Sequence, residues 1–196
     1  ARRSDVRFID LTDYRAFREV GLRGLTVEGT ERPGARDRNG ARNALFADLL
    51  VTTGLRLEEA SHLLAAEIPV GDARAERQRR VELPAALTKG DRGRGILLPR
   101  RLLPMFDAYI AVERAAAVAK FARRRGWEAI DRPIFIHRPS FGPRALQLVG
   151  GGTMDMEVVT PDERARLVIC ADDGTPCEAA VLWLTEVGHP VLPNSW

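Results

Sequence analysis

The chain has 196 residues, 45% of them hydrophobic and 29% charged, with a formal net charge of +3. This composition is ordinary for a globular protein and allows one sizeable domain or two small ones. No apolar run approaches the ~20 residues that a membrane span needs, and no apolar segment follows the basic start, so we expect neither a span nor a signal peptide. The two cysteines are too few for a disulfide framework or a zinc site. We expect Cys170 and Cys177 to be reduced thiols of a cytoplasmic protein, with a hairpin-spanning disulfide as the alternative.

Charge is distributed unevenly, both by residue type and along the chain. Arginines number 28, whereas the only lysines are Lys89 and Lys120. Residues 150–196 contain two basic and eight acidic residues, so the excess positive charge lies in residues 1–149. This pattern fits a polyanionic partner for the first part of the chain, or simply a solvated charged surface.

Apolar spacing and breaker residues predict mostly helices before residue 64. The predicted elements there are a helix that opens at Asp10 and ends at Gly21 or Gly24, a loop over 27–41, a helix from about Arg42 to Thr52, and a short helix from Leu57. The Thr53-Gly54 pair is expected to end the second of these helices.

The remainder of the chain is predicted to mix strands with one long helix. The predicted strands are Leu64–Val70, one within Gln78–Thr88, Gly95–Pro99, Pro133–Ile136, Met156–Val159, Arg166–Cys170 and Ala179–Leu184, the last of which is equally readable as the start of a helix. An alanine-rich helix is predicted from Leu102 to Arg125. The predicted class is therefore α+β, mainly helical, with a small antiparallel three-stranded sheet over 64–99.

The segment Thr53-Gly54-Leu55-Arg56 carries the most informative pattern. Gly54 ends one helix and Arg56 immediately precedes the next, where an arginine can direct its guanidinium at an anion near the helix-terminal N–H groups. Glu59 lies one turn further on and is positioned to brace that arginine. The alternative is a helix–glycine–helix connection in which Arg56 is only a cap or a solvated charge.

This segment resembles the first-arginine motif of the tyrosine recombinases of the phage-integrase type, commonly written TGLRxxEL. Thr53, Gly54, Leu55 and Arg56 match it, and Glu59 occupies the supporting acidic position. Ala60 replaces the usual leucine. The resemblance implies that Arg56 stabilises charge on the phosphate and that Glu59 holds Arg56 in place.

A second match lies in the run from Leu87 to Pro99, which resembles the family's β-hairpin with a lysine in its turn. Lys89 takes that lysine position. Expulsion of a 5′ alkoxide requires a proton, which an ammonium group can donate and a guanidinium effectively cannot. The commoner role of a Lys-Gly pair is a solvated turn. Four arginines near this turn are candidate phosphate contacts that would bind DNA without reading its sequence: Arg92, Arg94, Arg79 and Arg80.

Other parts of the family's pattern are not found. Neither Tyr14 nor Tyr109 fits the nucleophile, His137 lacks His-x-x-Arg spacing, and His189 is not followed by a tyrosine. We therefore expect one partial catalytic domain over 1–196, truncated before its nucleophile and without the family's N-terminal core-binding domain. Its expected parts are a helical region over 8–64, a sheet over 64–99, a helix over 100–126 and an acidic strand and loop region over 150–196.

The resemblance implies a fragment of a site-specific DNA recombinase that cleaves and rejoins strands through a 3′-phosphotyrosine. It implies duplex DNA as partner, self-assembly of the full-length protein on DNA, no metal or nucleotide cofactor, no small-molecule substrate and no membrane. The fragment itself is expected to be inactive. The alternatives are a non-catalytic DNA-binding regulator or integrase remnant, and an interaction module whose motif matches are accidental.

Overall fold

A computed structural model describes residues 9–32, 39–69, 78–90 and 92–196. The helices are α1 Leu11–Ala16, α2 Gly40–Thr53, α3 Leu57–Ser61, α4 Leu103–Ala108, α5 Ala115–Arg123 and α6 Pro161–Arg166. The strands are β1 Gln78–Leu83, β2 Arg94–Pro99, β3 Ile134–His137, β4 Ala145–Gln147, β5 Thr153–Asp155, β6 Leu167–Cys170 and β7 Pro176–Ala179. These elements confirm the α+β class.

The predicted first helix is confirmed. The Asp10 side chain accepts the N–H of Asp13 at 2.8 Å, and α1 continues as a π-helical turn over Phe17–Leu22. Polar contacts tie this segment to α2, because Asp48 accepts from the Tyr14 hydroxyl at 2.8 Å and from the Arg18 guanidinium at 2.7 Å. A part-buried carboxylate of α2 therefore holds this helical segment in place.

The predicted three-stranded antiparallel sheet is wrong in its first strand. Strands β1 and β2 pair antiparallel, from Gln78 opposite Pro99 to Leu83 opposite Arg94, and form a two-stranded sheet among the described residues. In place of a strand from Leu64, the chain makes a single bridge from Leu64 to Val181 and then a 3-10 turn over Ala65–Glu67. Val70 lies outside the described residues. The turn forms because the Glu67 carboxylate reaches back to accept the Leu64 N–H at 2.8 Å.

The long alanine-rich helix is confirmed, with irregular turns. Helical backbone runs from a 3-10 turn at Arg100–Leu102 through α4, a π-helical segment at Tyr109–Arg114 and α5. Helix α5 packs on a mixed sheet of order β3-β6-β7, in which β3 and β6 are parallel. The predicted strands at Pro133–Ile136 and Arg166–Cys170 are thereby confirmed to within a residue or so at their ends.

Two predicted strands in the acidic region are displaced. Residues 156–158 form a turn, and the strand precedes them as β5, because the Asp155 carboxylate accepts the Glu157 N–H at 3.0 Å and bends the chain. Strand β7 ends at Ala179, so most of Ala179–Leu184 continues as buried irregular backbone with isolated bridges, and not as a strand or a helix.

This irregular segment joins the two halves of the core. Leu182 and Trp183 pack among α2, α3, β2 and α4, whereas Val181 and Leu184 pack with α5 and the mixed sheet. Its carbonyl groups are buried, and the Arg114 guanidinium satisfies three of them while pairing with the Glu178 carboxylate at 2.6 Å. Unpaired buried carbonyls are costly, so one arginine stabilises a segment that has no regular ladder. The acidic region is therefore an integral part of the core.

A second buried ion pair fixes α6. The Arg164 side chain is fully buried, and its guanidinium donates to the Glu67 carboxylate at 2.9–3.0 Å and to the His62 carbonyl at 3.2 Å.

No helix among the described residues is long and apolar enough to cross a bilayer.

Candidate functional site

The Thr53–Arg56 segment forms a tight helix-to-helix connection in which each residue has a local role. The Thr53 hydroxyl donates to the Leu49 carbonyl at 2.6 Å, and Gly54 has φ +67°, a conformation that favours glycine. Leu55 is buried in the core, and Arg56 is the extended residue that precedes α3. The motif thus anchors Leu55 inside and leaves Arg56 at the surface, with its side chain 57% exposed.

Glu59 holds Arg56 from inside the protein. Its side chain is 1% exposed; one oxygen accepts the Arg56 backbone N–H at 2.8 Å, and the other accepts from the Arg56 guanidinium at 3.0 Å. Helix α3 is in turn fixed by the core, because the buried Trp183 indole donates to the Ala60 carbonyl at 2.8 Å. The predicted bracing of Arg56 by Glu59 is present in the structure.

The β1–β2 hairpin reaches the same carboxylate. The Arg94 guanidinium, at the start of β2, donates to Glu59 at 2.6 Å, and its side chain is 40% exposed. Burial opposes ionisation of Glu59, yet the hydrogen bonds from Arg56 and Arg94 prevail and lower the pKa of this carboxyl group. One buried carboxylate therefore orients two half-exposed guanidinium groups.

Lys89 lies at the surface in the turn that leads to β2. The Thr88 hydroxyl donates to the Arg92 carbonyl at 2.7 Å and closes the turn, Gly90 has φ +88°, and Lys89 is exposed. Arg94 lies five positions after Lys89, which limits their Cα separation to about 17 Å. The Arg94–Glu59 contact thus joins the start of β2, five positions after Lys89, to the carboxylate that holds Arg56.

The four predicted DNA-contacting arginines are spread along the hairpin. Arg92 and Arg94 lie at its turn end, and Arg79 and Arg80 lie opposite Leu98 and Leu97, but the Arg80 guanidinium reaches back over Gly95, the residue after Arg94. Arg80 pairs with Glu82 on its own strand. That ion pair offsets part of the positive charge that the sequence pattern assigned to this region.

A cleft of about 1060 Å³ opens between the β1–β2 hairpin and the β4–β5 hairpin. Charged residues that line it are Glu67, Arg80, Glu82, Arg94, Arg144, Asp155 and Glu157. Four carboxylates face three guanidinium groups among these described residues, so the cleft is electrostatically mixed and Arg94 lies on its wall. Glu157 also accepts the Ala85 N–H at 3.0 Å, which ties the acidic region to the base of the lysine turn.

Comparisons with protein-family models, with curated proteins and with solved structures find no match for this chain. The functional argument therefore rests on the residues themselves.

Neither tyrosine is arranged as a nucleophile. The buried Tyr109 hydroxyl donates to the Leu182 carbonyl and accepts the Leu184 N–H, both at 3.1 Å, and burial raises the pKa of this phenol. Burial, together with the hydrogen bond to Asp48, also raises the pKa of Tyr14. A raised pKa disfavours the phenolate that a nucleophilic tyrosine must approach.

His62, His189 and the two cysteines have structural surroundings. His62 is buried, with Nδ1 2.9 Å from the Glu58 carbonyl, and His189 packs edge-on against Phe121 with ring centroids 5.5 Å apart. Cys170 and Cys177 are free thiols, as predicted, and burial raises the pKa of each. Within the described ranges, no group of three His, Cys, Asp or Glu residues is arranged to hold a metal ion.

The sequence patterns did not predict two contacts of this site. Arg94 was assigned only a general phosphate contact, and nothing in its local sequence indicates a partner 35 positions earlier. The Glu157 contact to the base of the hairpin spans 72 positions. The one available signal for the first is general: a carboxylate that becomes buried has two oxygens and needs more than one donor.

Proposed function

We propose that this chain is part of a DNA strand-exchange enzyme of the tyrosine-recombinase type and that Arg56 binds the phosphodiester at the point of cleavage. The observation that carries the proposal is the way Glu59 holds Arg56. A fully buried carboxylate fixes the backbone and the side chain of an arginine that remains more than half exposed. Such pre-orientation suits binding of a charged ligand, because the guanidinium need not be ordered when the ligand arrives.

In this proposal the residues have separate chemical roles. Arg56 stabilises negative charge on the non-bridging phosphate oxygens, and Glu59 positions it. Lys89, exposed in its turn, delivers a proton to the leaving 5′ oxygen. The nucleophile is a tyrosine other than Tyr14 and Tyr109: its oxygen forms a 3′-phosphotyrosyl bond as the bond from phosphorus to the 5′ oxygen breaks, so the phosphodiester energy is retained for rejoining. Neither metal nor nucleotide participates in this scheme.

A second candidate is DNA binding without cleavage by this polypeptide. The environments of Tyr14 and Tyr109 favour it, because both hydroxyl groups are committed to internal hydrogen bonds. Under this alternative Arg56 still contacts phosphate, but no covalent intermediate forms. The two candidates share the phosphate site and differ in chemistry.

The phosphate site is tested by duplex DNA binding, measured by fluorescence anisotropy over a range of salt concentrations. Loss of one phosphate contact lowers the slope of log K against log salt by about 0.9. We expect Arg56→Ala to show such a decrease. Arg23→Ala is the matched control, since its side chain is 41% exposed and pairs with a single carboxylate, Glu19, at 2.9 Å. Equal slopes for wild type and Arg56→Ala would overturn the proposal.

Nicked suicide substrates, which trap a covalent protein–DNA adduct, test whether this polypeptide cleaves DNA by itself. We expect no adduct from this polypeptide, because neither tyrosine hydroxyl is available as a nucleophile. An adduct mapped to Tyr14 or Tyr109 by mass spectrometry would contradict the assignment of both as structural residues.

A further inference from the structure

We infer that Arg94 is a second ligand of the same phosphate and that Arg56, Glu59 and Arg94 form a two-arginine clamp for one phosphodiester. The inference rests on the proposed function and extends it to a residue that the sequence motif does not include. It arises from one contact, the 2.6 Å hydrogen bond from Arg94 to the carboxylate that also holds Arg56.

Geometry limits how far apart the two guanidinium groups can be. Arg56 donates to one oxygen of Glu59 at 3.0 Å, and Arg94 donates to the other at 2.6 Å. Donors that share one carboxylate lie within roughly 8 Å of each other, which is also the span that two donors to one phosphate group can occupy. The two donors are therefore close enough together to reach a single tetrahedral anion.

Exposure leaves both forks able to bind a ligand. A guanidinium has five N–H donors, and each of these two arginines gives one of them to Glu59. The side chains are 57% and 40% exposed, so each arginine remains accessible to a ligand from solvent. Arg94 also lies on the wall of the cleft of about 1060 Å³, so a ligand can reach this arginine from the cleft.

The net charge of the clamp matches that of a phosphodiester. Two guanidinium groups and one carboxylate carry a net charge of +1, and a phosphodiester carries −1. Without a ligand, the negative charge of the Glu59 carboxylate offsets the repulsion between the two guanidinium groups. With a diester in place, the four groups sum to zero. A monoester with two negative charges would be less well balanced, so the clamp favours an internal phosphate of a strand over a terminal one.

The experiment uses dimethyl phosphate, the smallest phosphodiester, titrated into the ¹⁵N-labelled full chain in a phosphate-free buffer. The Nε–H signals of the two arginines are assigned through Arg56→Lys and Arg94→Lys and followed by NMR. We expect both signals to shift with one common dissociation constant. Arg94→Gln should weaken binding roughly ten-fold, and Arg94→Lys less, because lysine keeps the charge but lacks the fork.

The controls separate this inference from the function on which it rests. Arg23→Gln should leave the dissociation constant unchanged, and tetramethylammonium chloride should move neither signal. A shift of Arg56 alone, or an unchanged affinity in a folded Arg94→Gln variant, overturns the clamp and leaves the proposed function standing. No shift of Arg56 overturns both. Circular dichroism checks that each variant is folded. If Arg94→Gln does not fold, the affinity of Arg94→Lys provides the second test.

Discussion

Replacement of Glu59 by glutamine should damage both the stability of the fold and the binding of DNA. Glutamine has nearly the same shape, but it carries no charge, and its amide nitrogen would face a guanidinium donor. The carboxylate accepts three hydrogen bonds, at 2.6, 2.8 and 3.0 Å, two of them from guanidinium groups. The substitution therefore removes charge-assisted bonds from a side chain that is 1% exposed.

The expected loss is about 2 kcal/mol. Removing one partner from a fully buried ion pair costs about 3–5 kcal/mol. Arg56 and Arg94 are half exposed and can turn to water when the carboxylate is lost, so the cost should fall towards that of the hydrogen bonds themselves, about 1.5–3 kcal/mol. In a domain of this size, 2 kcal/mol lowers the melting temperature by roughly 4–8 °C.

The control is Glu58→Gln, on the same helical turn. Glu58 is 66% exposed and has a histidine 3.5 Å away, so its loss should change stability by no more than about 0.5 kcal/mol. Because both carboxylates lie in the first turn of α3, the comparison also subtracts their interaction with the helix dipole. Urea denaturation and DNA anisotropy are measured on both variants. Equal stability and equal DNA affinity of the two would refute the reasoning.

The stability difference should also depend on pH. Folding lowers the pKa of Glu59 from its ordinary value near 4.5. A carboxyl group whose pKa is lower in the folded state stabilises the fold above its unfolded pKa, and that contribution is lost as pH falls through the folded pKa. The gap between wild type and Glu59→Gln should therefore be constant near neutrality and shrink below about pH 4.5.

Three further predictions concern the fold and its thiols. Gly188→Ala should cost more than Gly174→Ala by about 1–3 kcal/mol: both have φ above +80°, but a Cβ at Gly188 would lie 2.6 Å from a carbonyl oxygen of α5, whereas one at Gly174 meets nothing within 4 Å. Glu67→Gln should lose about 3–5 kcal/mol in urea denaturation, since it leaves the fully buried Arg164 without its counter-charge. Iodoacetamide should modify Cys177 more slowly in the native protein than in urea, because burial raises the pKa of this thiol.

Each of these three predictions can be contradicted by a specific result. Equal melting temperatures for the two glycine variants would show that the close approach to α5 is not maintained in solution. Asp162→Asn is the control for the buried pair, since Asp162 is 79% exposed and pairs with Arg166 at 3.1 Å. If Asp162→Asn lost as much stability as Glu67→Gln, burial would not be the cause of the large effect. Native alkylation as fast as in urea would mean that the thiol is not shielded.

Sequence patterns predicted the local features of the site well, because those features depend on neighbours in the chain. Gly54 ends α2 through its own backbone freedom, and Arg56 and Glu59 are one turn apart, so their pairing follows from helical geometry. The exposed Lys89 turn follows likewise from a Gly-rich connection between two strands. The role of these residues in strand exchange remains a prediction.

Tertiary structure alone decided the contacts that join distant segments. A strand was predicted from Leu64 because its apolar residues allow one, but the Glu67 side chain caps a turn there and pairs with Arg164, almost a hundred positions later. The meeting of Arg94 with Glu59 likewise depends on how the hairpin packs against α3. Local patterns fix what a short segment can form, whereas the pairing of buried charges is fixed only when the whole chain has enclosed them, since an unpaired charge is tolerated in water and not in the core.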